Sequence, residues 1–257
     1  MLLERESQLD LLTSLLENVP TSGGKVVLIR GEAGIGKSSL VREYLESSAD
    51  SAHVHLGFCD DLQTPQPFGP FWDIARQEPT LQSALREHDR QEVLEALVDL
   101  LSRALRPSIV VIEDTHWSDE ATLDAIRYVG RRISRTNGLL LLTYRDGEFD
   151  LDHPLRKVIG DLPVLEVIRI ELGGLSRSAV SAIVADSGLD PDRVLAATGG
   201  NPFLVTEMAS THGDEVPSSV RDSVMARVAR LSPPARAMLK VLSVIPERVR
   251  RLVGRLP

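Results

Sequence analysis

Gly31-Glu32-Ala33-Gly34-Ile35-Gly36-Lys37-Ser38-Ser39 brings three glycines, one ammonium and two hydroxyls into nine consecutive positions. The spacing is G-x-x-x-x-G-K-S, and the chemistry it offers is capture of a polyphosphate. Glycines let successive backbone N–H groups turn inward around an anion. A helix that starts directly afterwards points the positive end of its dipole at the same place. In that arrangement Lys37 reaches the β- and γ-phosphates and the Ser38 hydroxyl sits on Mg²⁺, with Gly31, Gly34, Ile35, Gly36 and Ser39 completing the cradle. The bland alternative is a glycine-rich turn joining a strand to a helix. The apolar run Val26–Ile29 before the motif and the helical pattern from Ser38 onward supply the context that favours a binding loop.

A second element of chemistry stands at Ile109-Val110-Val111-Ile112-Glu113-Asp114, a buried-strand pattern ending in two carboxylates. Such a strand is expected beside the phosphate loop. Its first acid, Glu113, would hold Mg²⁺ directly or through water, and Asp114 would orient the water that attacks the γ-phosphate. A third apolar run, Leu139–Thr143, is followed by Tyr144 and Arg145. Open α/β sheets keep their ligands at the carboxyl ends of strands, which places Arg145 within reach of a γ-phosphate.

The elements that must position these residues follow from periodicity. Strands are predicted at 26–30, around 53–57, at 108–113, at 139–144 and at 165–171. Helices are predicted at 2–18, 38–48, 70–78, 81–105, 119–135 and 153–162, with Pro20 to Gly24 breaking the first pattern. Alternation of strands and helices makes this an α/β chain with a parallel, helix-flanked five-stranded sheet. After Gly173-Gly174 no strand pattern returns, and 176–245 reads as short helices. The expected domains are an α/β nucleotide-binding unit at 1–172, a helical lid at 173–212 and a further region at 213–257.

Composition narrows the classes. The chain has 257 residues, 26% charged and 42% hydrophobic, with a formal net charge of -8, which argues against a surface that binds nucleic acid throughout. One cysteine, Cys59, excludes an internal disulfide and fits a reducing compartment. No signal peptide and no membrane-length apolar run is evident, so the expected location is cytoplasmic. His53, His55 and Cys59 match no closed zinc spacing. Arg248, Arg250, Arg251 and Arg255 read as a solvated helix face rather than a nucleic-acid patch. His116-Trp117 could either sense the γ-phosphate or simply pack the helix starting near Asp119.

Taken in order, these motifs resemble the STAND class of P-loop ATPases within the AAA+-like group, and in particular the ATPase module of large LuxR-type transcriptional regulators. Leu3-Glu4-Arg5-Glu6 is similar to the amino-terminal hhGRE motif, whose backbone packs on adenine. Gly31–Ser38 is similar to Walker A. Glu113-Asp114-Thr115-His116-Trp117-Ser118-Asp119 resembles the D-D-x-H-W-x-D Walker B segment, and Arg145 falls at the sensor-1 position. Gly199-Gly200-Asn201-Pro202-Phe203 resembles the GxP-type motif of the lid, where Pro202 would approach the base. Two positions depart from the pattern. Glu4 stands in place of glycine, and Glu113 in place of aspartate, a change that moves the carboxylate by about 1.5 Å.

The resemblance implies ATP and Mg²⁺ as cofactors and a nucleotide-operated signalling switch with slow hydrolysis, assigning Arg5 and Pro202 to the adenine side. It implies a protein partner or further output domains, DNA only indirectly, no membrane, and a nucleotide-dependent oligomer. Val216-Pro217-Ser218 and Leu231-Ser232-Pro233-Pro234 resemble the entry to a winged-helix domain, incomplete at Pro257, as expected of a module cut from a longer regulator. The alternatives are an origin-recognition-type AAA+ ATPase acting on DNA and a P-loop small-molecule kinase. No N-K-x-D guanine reader and no L-S-G-G-Q-like signature occurs.

Overall fold

The computed structural model describes residues 2–103, 105–145, 152–210, 221, 225, 228–229 and 231–244. Five strands, β1 (Lys25–Arg30), β2 (His53–Phe58), β3 (Ser108–Glu113), β4 (Gly138–Tyr144) and β5 (Val167–Glu171), form one sheet in the order β2-β3-β4-β1-β5. Every pairing is parallel. All residues of β3 and β4 are buried, which explains why their sequences show no polar alternation. The period of two still sorts the faces. Val27, Ile29, Val111 and Leu141 meet Leu12, Leu16, Leu40 and Tyr44 on one side. Val26, Leu28, Ile112 and Leu142 meet Phe71, Leu97, Ile126 and Leu155 on the other.

The first face is covered by α1 (Glu6–Ser22) and α2 (Lys37–Ser48), the second by α3 (Gly69–Ala75), α4 (Pro79–Glu87), α5 (Arg90–Leu101), α6 (Glu120–Gly130) and α7 (Pro154–Asp161). The single helix expected at 81–105 is two helices. His88 adopts a left-handed φ of 57° and ends α4, and the Asp89 side chain then caps α5 by accepting from the Glu92 N–H at 3.0 Å. The first helix runs past Pro20 because its last turn is closed by the Gly23 N–H on Val19 O at 2.9 Å. It also begins later than expected, at Glu6, which frees Leu2 and Leu3 from the helix. The carboxylate strand is not beside the phosphate-loop strand: β4 lies between β1 and β3.

After β5 come α8 (Arg177–Val184), α9 (Pro191–Thr198) and α10 (Pro202–Ser210), packed on their own apolar cluster of Leu175, Ala179, Val180, Val184, Val194 and Val205. The helix expected after Ser232 is α11 (Pro233–Val244), with the Ala235 N–H directed to Ser232 Oγ at 3.5 Å. Val216 to Val220, the four tail arginines and most of 213–257 lie outside the described residues. No helix among the described residues is long and apolar enough to cross a membrane.

One buried group makes stability depend on pH. His55 on β2 is 5% exposed, and neither ring nitrogen has a hydrogen-bond partner among the described residues. Burial pulls its pKa below the ordinary 6.5, with Arg103 and His53 acting the same way and Glu78, 3.7 Å away, opposing them. The unfolded chain therefore binds this proton more readily than the folded one. Stability from this site is complete above pH 6.5 and falls on acidification, at most by about 1.4 kcal/mol per pH unit. Melting temperatures between pH 7.5 and 5.5 should fall less steeply in His55→Gln than in the parent.

Candidate functional site

The loop from Gly31 to Gly36 leaves the carboxyl end of β1 and enters α2 at Lys37. Gly36, at the N-cap, has φ 100° and ψ 22°, and an added Cβ would meet nothing within 4 Å. Its glycine is required by backbone conformation, not by space. The Lys37 ammonium lies back under the loop and donates to Gly31 O and Glu32 O, both at 2.9 Å. Those bonds hold a buried cation in place before any ligand is considered.

Below the loop Ser38 donates its hydroxyl proton to Glu113 Oε2 at 2.5 Å. Glu113 reaches this position although its strand is not adjacent to β1. Glu113 is 4% exposed; burial raises its carboxyl pKa above the ordinary value, the Ser38 hydrogen bond opposes the rise, the Asp114 charge adds to it, and the Lys37 charge opposes it. A hydroxyl and a buried carboxylate so close together form a hard-oxygen donor pair, suited to a divalent cation that retains several waters.

Asp114 follows in the left-handed region, with φ 52° and ψ 43°. Few residue types tolerate that conformation, and Asp is among them. Its N–H donates to Thr143 Oγ1 at 2.9 Å, so the last turn of β4 fixes where the carboxylate stands. Arg145 Nε lies 3.7 Å from Asp114 Oδ1, and the guanidinium sits 4.7 Å from the Trp117 ring centre. His116 Nδ1 is 3.9 Å from the same Asp114 oxygen, and its ring packs 4.6 Å from Trp117. Of the two readings open in the sequence, packing is the one seen: Trp117 lies against the core cluster that holds Leu123, Ile126 and Val129 of α6, and its ring also faces Arg145.

Asp119, the last acid of the segment, has a structural role. Its carboxylate caps α6 through the Thr122 N–H at 2.9 Å and accepts the Phe68 and Gly69 N–H groups at 3.1 and 3.3 Å. It ties Phe68 and Gly69, at the start of α3, to the start of α6.

These groups open on a cavity of about 580 Å³ at the carboxyl edge of the sheet. Arg5, Gly34, Ile35, Gly36, Lys37, Ser38, Ser39, Asp114, Arg145 and Pro202 all line it. Gly31 and Glu113 lie beneath, holding Lys37 and Ser38. The far end is apolar, walled by Leu2, Leu3, Leu175, Ile183 and Phe203 with Thr206. Leu3 and Phe203 belong to motifs read in the sequence, whereas Leu2, Leu175, Ile183 and Thr206 escaped it, because isolated residues from distant segments carry no spacing signal. Thr143 escaped for a similar reason: it reads as the last residue of an apolar strand.

In the amino-terminal motif Arg5 lines the cavity and turns its guanidinium onto Gly173 O at 2.7 Å and Ile35 O at 3.3 Å, joining the loop to the segment that precedes α8. Glu4 takes φ 56°, a conformation suited to the glycine it replaces, and its carboxylate accepts from the N–H and hydroxyl of Ser176, the N-cap of α8. Cys59 is buried against Ser118 Oγ at 3.2 Å, and burial pushes its thiol up to about 12. No cluster of three or more His, Cys, Asp or Glu that could hold a metal occurs among the described residues.

Comparison with known proteins agrees with this geometry. Residues 1–142 match the AAA ATPase domain family. An uncharacterized protein of Rhizobium meliloti (strain 1021) is 25% identical over 90% of the chain, which spans only 27% of that relative's length. The Walker-type ATPase of Pyrococcus abyssi superposes with a TM-score of 0.51 at 14% identity, covering 99% of this chain and 77% of its own. Cdc6p from Pyrobaculum aerophilum gives 0.50 at 20% identity, over 72% of this chain and 49% of that one. The structural likenesses are of fold. With more than half of its length matched, the chain belongs to the AAA ATPase domain family and is a P-loop ATPase module.

Proposed function

We propose that this module is an ATP-operated switch of the STAND type, a signal-transduction element of a transcriptional-regulator protein of the LuxR kind. One observation carries the reading: the helix that opens at Pro202 is seated on the phosphate loop itself, with the Phe203 N–H donating to Gly34 O at 3.2 Å. A change in loop geometry on nucleotide binding is thereby a change in lid seating, which is what a two-state element requires. In this reading 1–172 binds nucleotide, 173–212 is the lid, and 213–257 begins a winged-helix-like region. Output passes to a protein partner or to further domains, with DNA touched only indirectly, in the cytoplasm and through a nucleotide-dependent oligomer.

Each residue then has a task. The N–H groups at the start of α2 and the Lys37 ammonium take the β- and γ-phosphates, with Gly31, Gly34, Ile35, Gly36 and Ser39 shaping the cradle. Ser38 and Glu113 hold Mg²⁺, which when bound neutralises charge on the transferred phosphoryl group. Asp114 orients the attacking water, and Arg145 stabilises charge developing on the γ-phosphate. The apolar end, with Pro202, takes the adenine face, while Arg5 holds loop and lid together around it. Hydrolysis is slow, because a switch must persist in its ATP state.

Mg-ATP should stabilise the protein more than Mg-GTP does. At a hundredfold excess over Kd the gain is about 2.7 kcal/mol. Each kcal/mol raises the melting temperature of a chain this size by about 2–4 °C. Thermal shift with both nucleotides measures the difference; an equal or larger shift with GTP removes the adenine assignment.

A further inference from the structure

We infer that Asn201 is a positioning residue of the nucleotide site, shaping the phosphate loop through the loop's own carbonyls; the inference rests on reading that loop as an ATP-phosphate cradle. Three consecutive loop carbonyls each receive a donor from outside the loop. Ala33 O accepts from Asn201 Nδ2 at 2.9 Å, Gly34 O from the Phe203 N–H at 3.2 Å, and Ile35 O from Arg5 Nη2 at 3.3 Å. A trans peptide sets its C=O and its N–H on opposite sides of the chain. Holding these three oxygens outward therefore turns the N–H groups of Gly34, Ile35 and Gly36 away from the donors. The Ile35 N–H bends back to Glu32 O at 3.3 Å. Those of Gly34 and Gly36 face the other side of the loop, the arrangement from which an anion nest is built.

Asn201 is the donor best placed to control this. It is 3% exposed, and its two amide atoms do different work. Nδ2 grips Ala33 O, while Oδ1 lies 3.4 Å from the Leu204 N–H in the first turn of α10. Gly34 is the matching half of the contact: a Cβ there would lie 2.8 Å from Phe203 Cβ and 3.0 Å from Asn201 Oδ1. That glycine makes room for the lid, whereas Gly36 meets nothing. Lid seating and phosphate-loop shape are thus one contact.

The competing account is that Asn201 merely caps α10. Asn201→Asp separates the two, because a carboxylate still accepts from Leu204 but can no longer donate and faces Ala33 O with a charge. Asn201→Ser keeps a capping hydroxyl and removes the long amide without adding charge. Both variants should bind Mg-tripolyphosphate and Mg-ATP about tenfold more weakly than the parent, roughly one charge-assisted hydrogen bond's worth. Tripolyphosphate has no base, so its loss reports on the loop and not on the wall at Pro202 and Phe203. Hydrogen exchange without any ligand should quicken at 33–36 and in α10 while α1 and the sheet stay unchanged. Parent-like exchange at 33–36 in both variants overturns the clamp, as does parent-like affinity for tripolyphosphate. If exchange quickens but the parent binds neither anion, the clamp stands and the ATP reading falls.

Discussion

Lys37→Ala should abolish most of the thermal stabilisation that Mg-ATP confers. The ammonium is held by Gly31 O and Glu32 O, and Lys37 lines the cavity, so the charge is already part of the loop. Hydrogen bonds to charged groups contribute about 1.5–3 kcal/mol each, and a triphosphate draws on this lysine at two phosphates. The expected loss of affinity is therefore a hundredfold or more, about 3 kcal/mol on the scale of 1.4 kcal/mol per decade. Backbone N–H groups remain in the variant but carry no net charge. Isothermal titration with Mg-ATP, alongside the melting temperature of the unliganded variant, separates lost binding from lost folding. A folded variant with parent affinity would mean that the phosphates bind elsewhere.

Asp114→Asn should retain ATP binding and lose turnover by about 10²–10⁴-fold, the usual contribution of a positioned acid–base group. Asn tolerates the left-handed conformation as readily as Asp, so the φ of 52° and the N–H bond to Thr143 survive the change. Removing a carboxylate that orients water acts on the transition state more than on the ground state. Glu113→Gln should behave differently. It keeps an acceptor for the Ser38 hydroxyl but removes the buried charge, so it should weaken the Mg²⁺ dependence of binding. Single-turnover hydrolysis with enzyme in excess and Mg²⁺ titrations on both variants distinguish the roles. Parent-rate hydrolysis in Asp114→Asn would sink the assignment of water positioning to that residue.

Much of the cradle was legible in the order of residues because its chemistry is local. Gly31 to Ser39 span one strand end, one loop and one helix start, so type and spacing determine geometry almost alone. The strands were legible from their pattern: short apolar runs without polar alternation, such as Ile109–Ile112 or Leu139–Leu142, fit strands buried on both faces. The break between α4 and α5 was not, because helical periodicity continues across His88 and only its left-handed backbone ends the first helix.

The sequence by itself determined a parallel five-stranded α/β sheet, a phosphate-type loop, and a carboxylate pair at a buried strand end. What only the tertiary structure decided is which distant residues meet there. The strand order puts β4 between the loop and the acids, which brings Thr143 to Asp114 and leaves Glu113 to span to Ser38. The return of the chain after β5 brings Asn201 and Phe203 onto Ala33 and Gly34, 168 and 169 positions apart in sequence. Likewise Glu4 and Arg5 reach Ser176 and Gly173. Such contacts use single side chains and backbone carbonyls, which every residue possesses, so they leave no periodic trace. Their positions follow from how helices pack on both faces of the sheet, and that packing is a property of the whole chain.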